Sequence, residues 1–194
     1  SISVVCAFFI GFPIAIFISR RVRKVAQHRV MLLFILPFMV SEIIRIFALR
    51  PILSLNGVVN SFLMDMNLID SPFSIFVFTP TGVVIGEIVS FLPFMIFSTF
   101  LALEAIPNYI FEVCADLGVN RRRMFKDIFL PLAAPGLFAG SVFIFVNGIG
   151  IALIPTILGG PGSVNAGLIA TQAIIALDFP LAMAVSAIMM FTLM

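Results

Sequence analysis

The sequence predicts an all-α polytopic membrane protein, and three observations predict it. Of the 194 residues, 62% are apolar and only 10% are charged, whereas a water-soluble domain usually carries about 45–50% and about 25%. The mean hydropathy is +1.25. The apolar residues gather in stretches near the roughly 20 residues that cross a bilayer as a helix. With 23 Phe, one Tyr and no Trp, the chain has too little polar surface to cover a water-facing globule. The same figures exclude other classes. A net charge of +2 with its bases in short clusters does not fit a nucleic-acid binder. Two cysteines, Cys6 and Cys114, do not make a disulfide scaffold, and neither is expected to be paired. With no second His beside His28 and no Cys-x-x-Cys, a metal site has no ligand set. His28, next to Arg29, reads most simply as a headgroup neighbour.

Five stretches qualify or nearly qualify as spans: about residues 2–19, 30–49, 80–103, 130–158 and 179–194. The second carries Glu42 and Arg45, the third carries Glu87, and the fourth is long enough for a span plus a short extension. The bases set the orientation, because links rich in Lys and Arg stay inside. Arg20, Arg21, Arg23, Lys24 and Arg29 fill the first link, and Arg121, Arg122, Arg123 and Lys126 fill the third. Only Arg45 and Arg50 lie elsewhere. The first and third links are therefore expected in the cytoplasm and the other two outside. On this topology the first span enters from the outside with Ser1 at its head. We therefore expect at least one helix before Ser1 and a continuation after Met194, in a parent of six or more spans.

Of the two outer links, the one over 50–79 has Asn56-Gly57 and Ser71-Pro72 as turn signals. A short amphipathic helix is expected over 58–68. The other outer link opens Gly159-Gly160-Pro161-Gly162 and continues as an apolar stretch, 164–177, too short to span and expected as a re-entrant or surface helix.

The third link, 104–131, carries the informative pattern. Pro107 suits a first helical turn, and Gly118 suits the position just past a helix end. Ile110, Val113, Cys114 and Leu117 fall at i, i+3, i+4 and i+7, one apolar face. Asn120 can cap a second short helix with Met124, Phe125 and Ile128 as its apolar side, ending before Pro131. The link reads as helix, glycine turn, helix. Two uses fit: a pair of helices lying on lipid headgroups, or a docking element for a cytoplasmic partner. The acids Glu112 and Asp116 count against the first, because anionic lipid would repel them.

Glu112, Gly118 six residues on, and Ile128-Phe129-Leu130-Pro131 after a nine-residue gap resemble the EAA signature. This is the mark of permease subunits of ATP-binding-cassette (ABC) importers with the methionine-permease-like fold. The family usually has Ala-Ala after the Glu. This chain has Val113-Cys114, a departure that keeps small to medium apolar groups. Gly11-Phe12-Pro13-Ile14-Ala15, Leu36-Pro37-Phe38 through Arg45, Leu92-Pro93-Phe94, Gly159-Gly160 and Asp178-Phe179-Pro180-Leu181-Ala182 are similar to other parts of the same permeases. Ile43-Ile44-Arg45-Ile46, Asn56 to Asn60 and Leu68-Ile69-Asp70-Ser71-Pro72 look most like the spermidine/putrescine permeases.

The resemblance implies a single transmembrane domain over 1–194, a helix bundle of which five spans of six are visible, in the bacterial inner membrane. It implies that 104–131 forms the coupling loop, with Glu112, Ala115, Asp116 and Gly118 at the contact with an ATPase subunit and Arg121, Arg122 and Arg123 at its edge. The implied partners are a cytoplasmic ATP-binding subunit dimer, a second permease subunit and an extracytoplasmic substrate-binding protein. The polyamine-type likeness favours a paralogue as the second permease. No cofactor and no catalytic residue is implied, and no Gly-x-x-x-x-Gly-Lys-Ser/Thr loop exists in the chain. The expected function is translocation of a solute such as a polyamine, with ATP hydrolysed by the partner.

Charges inside spans are costly and mark function by default. Glu42 and Arg45 share a helix face and either pair near the outer interface, with Arg45 reaching outward, or line a solute path. Glu87 must face protein, a cavity or a partner subunit, or else remain protonated; for a cationic solute a buried carboxylate on the path makes electrostatic sense. Asp178 suits an N-cap for the last span, with solute contact secondary. Pro13, Pro37, Pro93, Pro135 and Pro155, with Gly136, Gly140, Gly148 and Gly150, allow bent and closely packed helices. An ion-driven carrier or channel is the alternative reading; it leaves the EAA-like link unexplained. A membrane anchor explains the hydropathy but not the broken helices.

Overall fold

The computed structural model describes residues 2–69, 71–107, 109–116, 118–160 and 162–193, apart from the side chains of His28, Phe111, Glu112, Ala115, Arg121 and Leu193. Among the described residues there are helices and no strand. In chain order they are α1 (Ile2–Arg21), α2 (Lys24–Met39), α3 (Glu42–Leu53), α4 (Val58–Asp65), α5 (Pro80–Glu104), α6 (Tyr109–Asp116), α7 (Arg121–Arg123), α8 (Leu130–Gly150), α9 (Leu153–Leu158), α10 (Ala166–Ile175) and α11 (Phe179–Leu193). Six residues between α7 and α8, Met124–Phe129, form a π-helical segment. Three continuous helical stretches are long and apolar enough to cross a membrane, Ile2–Arg21, Pro80–Glu104 and Met124–Gly150, and α3 and α4 with the turn between them make a fourth apolar stretch, Glu42–Asp65. At about 1.5 Å per residue, the 20 residues of α1 match the roughly 30 Å of hydrocarbon.

Three boundaries differ from the sequence expectation. The stretch over 30–49 is divided at Val40-Ser41 into α2 and α3. Pro37 removes a donor in the last turn of α2, and Ser41 with Glu42 opens a new helix whose first bond runs from Arg45 N–H to the Ser41 carbonyl at 3.1 Å. The stretch over 130–158 is divided at Ile151-Ala152 into α8 and α9. The helix that Asn120 begins does not stop before Pro131. It runs on through the π segment into α8: just before Pro131, which has no N–H to give, Leu130 N–H bonds back five residues to the Phe125 carbonyl. The two predicted outer helices are present as α4 and α10.

The chain forms two compact units. One comprises Val4–Met39 and Phe91–Ile144. Its buried side chains include Ala7, Ala15 and Ile18 of α1, Met95, Ile96 and Phe100 of α5, and Ala133 and Leu137 of α8. Small residues set the spacing here. A Cβ on Gly11 would lie 3.0 Å from Met95 Cγ, and one on Gly136 would lie 2.6 Å from Ala102 Cβ. Phe94 stacks on Phe143 with ring centres 3.8 Å apart, and Phe91 meets Phe143 edge-on. Gln27, buried, donates to the carbonyls of Ile18, Ser19 and Val22 at 3.2, 2.9 and 3.0 Å, closing the end of α1. Both basic links belong to this unit, and Arg20 of the first lies 5.0 Å over the ring of Phe129 in the third.

The other unit comprises Ser1–Ser3, Val40–Ser90 and Phe145–Met194. Ile46, Leu53, Ile154, Leu158, Ala173 and Ala182 are buried in it. Both predicted outer links belong to it, and they meet: Phe78 N–H donates to the Leu158 carbonyl at the end of α9 at 2.8 Å, and a Cβ on Gly160 would collide with the Phe78 carbonyl oxygen. Asn60, fully buried, bonds the Ser54 carbonyl at 3.0 Å and both the carbonyl and N–H of Phe73 at 3.2 and 3.0 Å. It thereby fastens the first outer link to itself. Asn165 caps α10 through Leu168 N–H at 2.8 Å and donates to the carbonyls of Gly148 and Ile151 at 3.1 and 2.8 Å, joining α10 to the end of α8. The pairing of basic link with basic link, and of base-poor link with base-poor link, is what a positive-inside topology requires.

Candidate functional site

The third link is built from α6, a glycine turn and the helix that follows. Cys114 is a free, buried thiol and Ile110 is half-buried. Tyr109, Val113 and Asp116 are exposed and fall at i, i+4 and i+7. The apolar face expected from spacing is therefore split: Ile110 and Cys114 turn inward, while Val113, 49% exposed, turns outward with Tyr109. Leu117 lies outside the described residues.

Gly118 is the hinge of the link. Its φ is +66°, in the left-handed region that glycine enters without steric cost. Val119 N–H donates to the Cys114 carbonyl at 2.9 Å, the long bond of a Schellman ending with glycine at C′. A Cβ built on Gly118 meets nothing within 4 Å, so within this chain the glycine answers to backbone conformation alone. Asn120 then starts the next helix as expected: its Oδ1 accepts from Arg122 N–H at 3.4 Å, and its carbonyl accepts from Met124 N–H at 2.9 Å. Arg122, Arg123 and Lys126 are exposed. The side chains of Glu112, Ala115 and Arg121 lie outside the described residues, although α6 and α7 include their backbones.

The π segment Met124–Phe129 covers the Ile128-Phe129 part of the signature, and Leu130 N–H bonds back to the Phe125 carbonyl. Single π turns inside α-helices are rare and concentrate at functional sites. Periodicity gave no sign of this one, since an extra residue per turn leaves an apolar pattern looking helical.

The charges within spans have other surroundings. Ser3 Oγ donates to Glu87 Oε2. Both residues are buried, Glu87 to 7% exposure. Gly148 lies beside the carboxylate, and a Cβ there would stand 3.4 Å from both oxygens. Glu87 thus faces protein within its own unit. Two bonds of Arg45 run to backbone carbonyls, to Ser90 at 2.7 Å and Val40 at 3.2 Å. The first carbonyl is in the turn that Pro93 interrupts and the second is at the end freed by the α2–α3 break. Glu42 Oε1 is buried with no hydrogen-bond partner among the described residues. Asp178 caps α11, its Oδ1 accepting from Leu181 N–H at 3.2 Å. Glu42, Arg45 and Glu87 are in one unit, with Arg45 reaching the α5 turn after Glu87. Among the described residues no three His, Cys, Asp or Glu side chains are grouped to hold a metal ion.

Residues 7–194 match the family described as the binding-protein-dependent transport system inner membrane component. The chain is 31% identical over 186 residues to the spermidine/putrescine transport system permease protein PotB of Escherichia coli (strain K12), a match covering 95% of this chain and 67% of that protein. PotB of Haemophilus influenzae is 32% identical over 188 residues, covering 95% of this chain and 64% of the relative. The inner membrane ABC transporter permease protein YdcU of Escherichia coli (strain K12) is 29% identical over 174 residues, covering 84% and 55%. The chain spans about two thirds of the length of its PotB relatives. With a family match over nearly its whole length and four apolar stretches long enough to span, the chain belongs to the family of binding-protein-dependent transport system inner membrane components, the multi-pass permease subunits of ABC importers.

Proposed function

We propose that this permease serves an ATP-driven importer of polyamines of the spermidine/putrescine class. Residues 104–131 would be the coupling segment of a single transmembrane domain over 1–194. The observation that carries the coupling part is the form of the third link: a short helix with Tyr109, Val113 and Asp116 exposed on one side, then Gly118 with open space around it. That surface offers a cytoplasmic ATPase subunit two apolar side chains, a carboxylate and a bare stretch of backbone. Glu112 and Ala115 belong to the same contact, with Arg121, Arg122 and Arg123 at its rim. Closure of the ATPase dimer would push the link, and the helix that runs unbroken from Arg121 to Gly150 would carry the push along a span.

The polyamine part rests on the names of the PotB relatives and on the buried carboxylate of Glu87. A diffuse organic cation needs a counter-charge where water is scarce, and Glu87 is placed on that path in this reading, with Glu42 and Arg45 beyond it. Asp178 is given the capping role alone. A second, paralogous permease would complete the path, and an extracytoplasmic binding protein would deliver the solute to the outer links.

The test is affinity purification of the full-length parent with the proteins encoded beside it. Recovery of an ATPase subunit and a second permease supports the assignment. Purification of the parent without an ATPase would contradict it and favour an ion-driven carrier.

A further inference from the structure

A groove of about 420 Å³ runs along α1. Phe12, Pro13, Ile16 and Phe17 of α1 line it with Phe125 of the π segment, and Arg20 and Arg21 stand at its one charged end. We propose that this groove binds an anionic phospholipid of the cytoplasmic leaflet, one acyl chain lying against the aromatic wall and the phosphate meeting Arg20 and Arg21. This inference rests on the membrane topology and not on the transport reading.

Four observations converge on that occupant. The wall is continuous, with the Phe12 and Phe125 rings 6.1 Å apart and Phe125 stacked on Phe129 at 5.7 Å. Phe129 in turn holds the guanidinium of Arg20 at 5.0 Å from its ring centre, which fixes a cation at the groove's mouth before any ligand arrives. From Phe12 to Arg20 the helix rises about 12 Å, close to the roughly 15 Å of hydrocarbon in one leaflet, so an acyl chain and its phosphate are spaced to meet both ends. The first link is also purely basic: residues 20–29 hold five bases and no acid, and Glu104 lines a separate small pocket with Arg20 and Lys24 rather than this groove. Basic pockets at the cytoplasmic ends of spans suit anionic headgroups. An uncharged apolar helix laid in the groove would fill it and meet neither arginine.

Native mass spectrometry of the purified full-length permease, titrated with phosphatidylglycerol and separately with phosphatidylcholine, tests this. Wild type should retain phosphatidylglycerol in preference. Arg21→Gln should weaken that binding about fivefold, the ratio corresponding to about 1 kcal/mol per base at an anionic surface, while phosphatidylcholine is unaffected. Ile16→Trp, which fills the groove, should remove the preference altogether. Arg21 is exposed, so its variant keeps the test alive if the tryptophan variant fails to fold. Equal affinity of wild type for the two lipids, or unchanged phosphatidylglycerol binding in Arg21→Gln, would overturn the proposal. So would a photo-crosslinker at position 16 that captures another polypeptide in native membranes in place of lipid.

Discussion

Replacing Gly118 separates two reasons for a glycine that are usually entangled. Its φ of +66° costs an ordinary L-residue about 1–2 kcal/mol, and asparagine is several-fold enriched among the non-glycine residues that enter this region. Nothing in the chain lies within 4 Å of a Cβ at this position, so no clash adds to the strain. If the glycine serves only the turn, Gly118→Asn should resemble wild type and Gly118→Ala should lose a little stability, a few degrees of Tm at about 2–4 °C per kcal/mol. If an ATPase subunit packs against the bare backbone, Ala and Asn should both reach the membrane at near-normal levels and both lose the partner. A missing contact worth about 1.4 kcal/mol lowers its affinity tenfold, and Gly118→Asp should abolish recovery. The assay is the ratio of ATPase to permease after purification, with a melting curve of the permease alone as the folding control. Wild-type recovery of the ATPase by Gly118→Asn would refute the contact.

Three further substitutions probe the rest. Glu87→Gln keeps an acceptor for Ser3 and removes the charge; polyamine uptake should fall at least about tenfold with little change in permease Tm, and undiminished uptake would remove Glu87 from the path. Asn60→Ala removes a fully buried amide whose partners, the Phe73 N–H and the Ser54 and Phe73 carbonyls, are only partly buried. At about 0.5–1.5 kcal/mol for a bond that water can replace, thermal unfolding should come earlier, and an unchanged Tm would show that water takes over all three bonds. Gly136→Ala drives a Cβ to 2.6 Å from Ala102 and closer still to the Ser98 carbonyl, overpacking worth about 1–3 kcal/mol. It should therefore destabilise more than Gly118→Ala, and the reverse order would contradict the close approach of α5 and α8.

Much of this architecture was legible because hydropathy, bases, prolines and glycines each report on backbone or solvent. The amphipathic outer helix became α4, the short apolar stretch became α10, Asp178 became a cap, and Gly118 took the left-handed turn. What escaped depended on tertiary partners. The division at Val40-Ser41 followed a run of apolar residues with no glycine, and only Arg45 binding the Val40 carbonyl shows how the broken end is satisfied. Spacing puts Val113 on the buried face because i+3 and i+4 positions both lie near one side of a helix; in the structure Ile110 and Cys114 turn inward and Val113 does not. The anchoring roles of Gln27, Asn60 and Asn165 have no counterpart in the sequence pattern, since a single amide in an apolar sequence carries none. Their signal was the cost of their presence, because a buried amide must find donors and acceptors.

The account rests on ATP-driven import through this chain. Its most direct measurement is uptake of labelled spermidine by proteoliposomes holding the full-length permease, its paralogue, the ATPase subunit and the binding protein. The account predicts uptake that requires ATP inside the subunit's compartment and the binding protein on the other side, persists when proton and sodium gradients are collapsed, and fails with Gly118→Asp. Uptake that proceeds without ATP and stops with the ion gradient would contradict it.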